Sequence, residues 1–149
     1  MHELKRITAA GIPTALQKAE RYRLLNEPSA AESICLDVLV VEPDNQQALI
    51  QLALARADQF QGDLAGGVDR AREPLSRVRD DYRRTYYLGI IAERRGKAQL
   101  RSHAPGGHAI AWDWLRRAMD LYEQAEAIRP DGNDESLLRW NTCARIMER

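Results

Sequence analysis

The stretch Ala31–Asp44, AESICLDVLVVEPD, and the stretch Ala118–Asp131, AMDLYEQAEAIRPD, share one pattern, and that pattern decides the fold. Ala31, Cys35, Val38, Val41, Pro43 and Asp44 recur as Ala118, Tyr122, Ala125, Ile128, Pro130 and Asp131, each 87 residues later. Steps of four, three and three residues keep one side of a helix apolar. A small residue opens the pattern and lets a neighbouring helix approach, and a larger one a turn later fills the gap. Proline closes it, because it has no N–H to donate and its ring clashes with the preceding turn. Leu88-Gly89, followed by Gly96, supplies the other half of the same unit. Self-similarity on this scale is the mark of a repeat architecture.

Outward from these two stretches, punctuation divides the chain into short helices. Strand signals are nearly absent, while Ala, Leu, Arg, Glu and Gln fill long runs. Pro13-Thr14 opens a first helix that runs to about Asn26, a residue that tolerates a left-handed helix end. Ser29-Ala-Ala-Glu32 reads as a capping box for a second helix, which stops before Pro43. Asp44-Asn-Gln-Gln47 reads as another, starting a helix that reaches about Phe60 and is broken by Gly62. Asp63–Val78 is helical in composition but weakened by Gly66, Gly67 and Pro74, so a kink or a short, late-starting helix is expected there. Asp81–Arg95 is a clean helix closed by Gly96, and Arg101–Gly107 is the most loop-like segment. A long helix from about His108 to Ile128 and a last one from about Asp134 to Met147 complete the chain.

At this point the residues resemble the tetratricopeptide repeat (TPR) family, whose unit is two antiparallel helices of about 34 residues in all. That family places Leu-Gly and an aromatic on the first helix, then Ala, an aromatic and Pro across the second; Tyr22 fits the first-helix aromatic slot of the first unit. The resemblance implies an all-α, right-handed α-α solenoid of about three TPR-like hairpins in a single domain over residues 1–149. The units are expected at about 12–45, 46–81 and 82–132, with a C-terminal capping helix over 133–149. The spacing of 87 residues is two units plus an excess, which falls near 97–114. Either lengthened helices or an inserted loop around His103–His108 accounts for it.

Composition agrees with a globular chain. The hydrophobic share is 44%, the charged share 30% and the formal net charge zero, so no whole-molecule field favours nucleic acid or a membrane. Charge is nonetheless uneven: eight Arg and Lys lie between Arg77 and Arg101 against Asp80, Asp81 and Glu93, as a solvated helix face or an anion-preferring patch. The N-terminus has no apolar stretch suited to a signal peptide, and no run approaches the ~20 apolar residues of a spanning helix. Cys35 and Cys143 lack CxxC spacing, which argues against a disulfide framework or a zinc site and for a reducing compartment, with the cytoplasm expected.

No nucleophile elbow, Gly-rich phosphate loop, HExxH or EF-hand pattern occurs, so neither catalysis nor a cofactor is expected. His103, His108 and Asp113 have chemistry that zinc accepts but match no standard spacing, and no metal is expected. Asp80-Asp81 and Asp134-Glu135 sit at helix starts, where carboxylates suit the positive end of the dipole. Trp112 and Trp114 are two apart on one helix and so point about 200° from each other. One is expected to pack inward, the other to cover the loop or remain exposed. Trp140 is expected to seal the end of the core.

In the TPR family the first helices of successive units line a concave surface that holds a partner peptide. Carried over by position, this implies a groove made of Leu16, Glu20 and Arg23; then Gln47, Ile50, Leu54 and Asp58; then Arg83, Tyr86, Ile90 and Arg94; and finally Leu137, Asn141 and Arg145. Its centre reads apolar and its edges polar. Some TPR domains of co-chaperones grip a C-terminal carboxylate with Lys, Asn and Arg on these helices. Here Leu16, Glu20 and Gln51 stand in the Lys and Asn slots and only Arg83 matches in charge, so an amphipathic helix or apolar segment is preferred. The expected function is a protein-interaction adaptor binding another protein or peptide. The competing arrangement is a structural module whose groove is buried in a homodimer.

Overall fold

Proline, asparagine and aspartate set most of the helix boundaries. The computed structural model describes residues 1–60 and 65–149, and among these there is helix and no strand. A 3-10 turn, Ala9–Gly11, leads into α1, Ile12–Leu24, with Pro13 in its first turn. Asn26 follows in the left-handed region at φ 61°, as its side chain allows. Helix α2, Pro28–Val41, takes proline at its first position, where the missing N–H is not needed. Helix α3, Gln46–Ala57, is capped by the Asn45 side chain, which accepts from the Ala48 N–H at 2.9 Å. Helix α4, Ala65–Arg72, gives way to a 3-10 turn, Glu73–Arg77, at Pro74, which is the expected kink. The expected break at Gly62 and start at Asp63 lie outside the described residues.

Helix α5, Asp81–Ser102, is capped by Asp80, which accepts from the Arg83 N–H at 3.0 Å. Helix α6 is Gly107–Ala127 and α7 is Glu135–Met147. The residues near 97–114 are therefore lengthened helices. Only His103–Gly106 separates them, with His103 at φ 53° and Gly106 at φ 73°.

Three local expectations fail, each for a physical reason. Gly96 does not close its helix. It lies mid-helix where α6 comes close: a Cβ there would stand 3.2 Å from the Ala111 carbonyl oxygen and from Leu115 Cγ. Ser29 and Glu32 form no capping box, because Pro28 starts the helix earlier and the Glu32 carboxylate turns inward to Arg56, Gln59 and Arg70. The cap of α3 is Asn45 and not Asp44, and Gln46 instead ties the helix start to the Arg77 carbonyl and the Arg79 N–H.

Each helix packs on its chain neighbours, and α1, α3 and α5 also touch in that order. Three of the four repeated apolar positions do the same work in both copies, since Ala31, Cys35, Val38, Ala118, Tyr122 and Ala125 are all fully buried. The fourth differs, with Val41 half-buried against α1 and α3 and Ile128 exposed. Gly89 completes the second copy, since a Cβ there would fall 2.6 Å from the Tyr122 ring. The main core joins α3 through α7, with two smaller clusters between α1, α2 and α3. Among the described residues no helix is long and apolar enough to cross a membrane.

Candidate functional site

A cleft of about 390 Å³ opens along one side of the molecule, and its walls come from α1, α3, α5 and α7. Helix α5 supplies most of it. Tyr86, Tyr87, Ile90, Glu93, Arg94 and Lys97 recur at helical spacing and so share a broad face. Arg23 of α1 and Leu54 of α3 form one wall, and Glu135 and Arg139 of α7 the other. A second cavity of about 220 Å³ shares Arg94 and Lys97 with the first and carries the cleft on to Asp58 and Arg101.

Two ion-pair centres organise this surface. Asp58, the C-cap of α3, accepts from Arg23 Nε at 2.8 Å through one oxygen and from Arg94 Nη1 at 2.7 Å through the other. Arg23 also donates to Gln51 at 3.2 Å and Arg94 to the Leu54 carbonyl at 3.3 Å, so one carboxylate spans three helices. Burial holds the Arg94 guanidinium below its ordinary pKa in spite of the Asp58 charge.

The second centre is Glu93, only 1% exposed. It accepts from the Tyr122 hydroxyl at 2.8 Å, from Lys97 at 2.6 Å and from the Arg139 fork, and Cys143 Sγ lies 3.6 Å away. Burial pushes its carboxyl pKa up, but Arg139 and Lys97 outweigh that and hold it below the usual value. The Tyr122 phenol is driven far up, first by burial and then by the Glu93 charge. Glu93 therefore stays ionised and anchors two cations at the cleft wall.

The apolar centre expected for the groove is not there. Leu16 is buried with Ile12, Val38 and Ala48 between α1, α2 and α3. Ile50, Leu54, Tyr86 and Ile90 are all buried in the main core, and only the edges of the last three reach the cleft. The cause is geometric: α1, α3 and α5 touch one another, so their apolar positions seal the helix contacts and leave the charged ones facing out. Gln47 and Arg83 are exposed but lie outside the cleft lining, as do Glu20 and Arg145. Leu137 and Asn141 line a different cavity, of about 280 Å³, with Trp140, Glu123 and Glu126 between α6 and α7. Of the carried-over positions, Arg23, Leu54, Asp58, Tyr86, Ile90 and Arg94 do come together.

The residues missed are Tyr87, Glu93, Lys97, Arg101, Glu135 and Arg139. The basic run from Arg77 to Arg101 held part of the signal, and the structure divides it. Arg77, Arg79 and Arg84 pair at the surface with Glu73, Asp44 and Asp81. Arg95 turns inward to Gln99, while Arg94, Lys97 and Arg101 face the cleft.

The tryptophans divide differently from expectation, since neither Trp112 nor Trp114 is fully inward or fully free. Both are half-buried against the core; Trp112 stacks on His108 and Trp114 lies under Arg117 at 4.7 Å. Trp140 packs on the core end and donates to Glu123 at 3.1 Å. Among the described residues no three His, Cys, Asp or Glu side chains gather as a metal-holding group. The chain has no significant match to any family model, curated protein or solved structure.

Proposed function

We propose that the chain is a TPR-like, right-handed α-α solenoid that binds a polypeptide segment of a partner protein in the cleft. One observation carries this reading: the cleft is walled by every second helix, α1, α3, α5 and α7, while α2, α4 and α6 stay out of it. Stacked helical hairpins give that alternation, and the contacts of each helix with its neighbours along the chain support it. The units then correspond to α1–α2, α3–α4 and α5–α6, with α7 as the cap.

The chemistry of the cleft and of the core beside it favours binding over catalysis. Burial raises both cysteine thiols to about 12, which leaves them protonated, and Glu93 is committed to its own cations. Two buried free thiols also fit a reducing, cytoplasmic setting. A homodimer is the second reading, favoured by Leu36 and Val40, which lie exposed one turn apart on α2.

The test uses the wild-type chain and an Arg23→Gln, Arg94→Gln double variant as baits in extract of the native organism. A partner held by the wild type and lost by a variant of unchanged helical signal supports the cleft. Partners held equally by both sink it. Solution mass that rises with concentration, and falls to the monomer in a Leu36→Ser, Val40→Ser variant, moves the reading to the homodimer.

A further inference from the structure

We propose that the cleft selects an extended acidic segment of its partner, and that Asp58 occupies the place of an incoming carboxylate. The inference rests on the cleft being the peptide site and adds what kind of peptide it takes.

The charge inventory gives the first argument. Five cationic side chains line the two joined cavities against three carboxylates. Glu93 is already saturated by Tyr122, Lys97 and Arg139 and has no face left to repel an anion. Lys97 and Arg139 remain about a third exposed, so each keeps donors free toward the cleft. Arg101 is exposed and, among the described residues, makes no ion pair.

The second argument is the geometry at Asp58. Its two oxygens hold Arg23 and Arg94, which belong to helices on either side of its own. Neither arginine presents its paired fork: each meets Asp58 through a single nitrogen. A carboxylate from outside could engage both nitrogens of one edge, the stronger arrangement. Burial also holds the Arg94 guanidinium below its ordinary pKa even with Asp58 and Glu93 near it. Asp58 is thus a partial counter-ion that a better-placed carboxylate can displace.

Spacing supplies the third. Arg94, Lys97 and Arg101 stand at i, i+3 and i+7 along α5 and form a track about 10 Å long. An extended peptide covers that length in about three residues, with alternate side chains on one side. Two carboxylates two residues apart on the partner, about 7 Å, fit within that track and meet two of its cations. An apolar segment would find only Tyr87 and the edges of Leu54, Tyr86 and Ile90, among twice as many charged side chains. A formal net charge of zero supplies no whole-molecule field toward a nucleic acid, which favours a peptide of local negative charge.

The experiment titrates the full chain with labelled peptides of about twelve residues, both ends blocked, alternating Glu-Ser, Lys-Ser or Gln-Leu, and with oligothymidylate of like length. The acidic peptide is expected to bind at least about tenfold tighter than the others and to weaken about tenfold between low salt and ~0.5 M. Asp58→Asn should tighten it about threefold or more, Arg94→Gln should weaken it about tenfold, and Arg116→Gln, outside the cleft, should leave it unchanged. Gln-Leu binding that Arg94→Gln abolishes but Asp58→Asn leaves alone would overturn the acidic preference and keep the peptide site. Binding of no peptide would end both, and tighter binding of the oligonucleotide would assign the cleft to nucleic acid. If Asp58→Asn melts early, the salt titration of the wild type decides: affinity that ignores salt overturns the inference.

Discussion

Two buried glutamates clip the two halves of the molecule by the same device. Glu32 on α2 holds Arg56 on α3 at 2.9 Å, Gln59 just past the end of α3 at 3.0 Å, and Arg70 on α4 at 2.9 Å. Glu93 on α5 holds Tyr122 on α6, Arg139 on α7 and Lys97 on its own helix. In both, burial raises the carboxyl pKa and hydrogen bonds and cations more than reverse the rise. The difference is where the partners go next. Those of Glu32 lie outside the cleft, whereas Lys97 and Arg139 form part of its wall. The same buried charge is a fastener in one half and a way to pack like charges side by side in the other.

Truncation gives the largest separation between the two. Glu93→Ala leaves a buried phenol and two cations without their anion and should cost about 3–5 kcal/mol, as for a broken buried pair. Glu32→Ala should cost less, about 1–3 kcal/mol, because Arg70 is already largely exposed and rehydrates readily. Urea denaturation of both variants measures this, and equal losses would break the comparison.

Packing comes next in size. Gly89→Ala forces a methyl into the Tyr122 ring, which Glu93 holds in place, and should cost about 1–3 kcal/mol. Ala118→Leu, at a fully buried position, should cost a similar amount, while Gln124→Leu, exposed on the same helix, should change stability by less than about 0.5 kcal/mol. Thermal melting orders the three, and a neutral Gly89→Ala would mean that the helices do not meet there.

Acid and alkali then act on opposite groups. Both glutamates have folded pKa values below the ordinary 4.5, so their stabilisation is complete above pH 4.5 and drains away as pH falls through the lower folded values. Tyr122 and Tyr86 are shifted upward, Tyr86 to about 12 by burial and Glu135. Their contribution is therefore complete below the ordinary value of 10 and lost as pH rises beyond it. Denaturation midpoints across pH should fall at both ends, and Glu93→Gln should flatten the acid limb more than Glu32→Gln. The smallest effect expected is at Arg70. Arg70→Gln removes one mostly exposed arm of the Glu32 clip and should cost no more than about 1 kcal/mol, read by the same denaturation.

Most helix ends were legible because they are set locally: Asn26 by a tolerated left-handed turn, Pro43 and Pro130 by a missing N–H, Asp80 by its carboxylate at a helix start. The repeated Ala-Cys-Val and Ala-Tyr-Ala positions were legible because close packing selects residue size. The cleft was not. A glutamate three residues after a serine has the spacing of a capping box whether it bonds a nearby N–H or an arginine 24 residues away, as Glu32 does with Arg56. Helical periodicity places Tyr86 and Ile90 with Arg94 on one broad face but does not say which edge of that face is covered by α3. Gly96 misled for a similar reason, since glycine serves both to stop a helix and to admit a neighbour.

The link His103–Gly106 carries one more consequence, for the order of assembly. It joins the two longest helices with only four residues, and they meet along most of their length. Closing so short a loop costs little chain entropy, and the contacts it brings together are near in sequence. Folding is therefore expected to begin in this hairpin, with α7 and then α3 settling on it, and with α1 and α2 joining last through their smaller apolar clusters. Substitutions at Ala111 or Leu115 should slow refolding, while those at Ala19 or Ala31 should chiefly hasten unfolding.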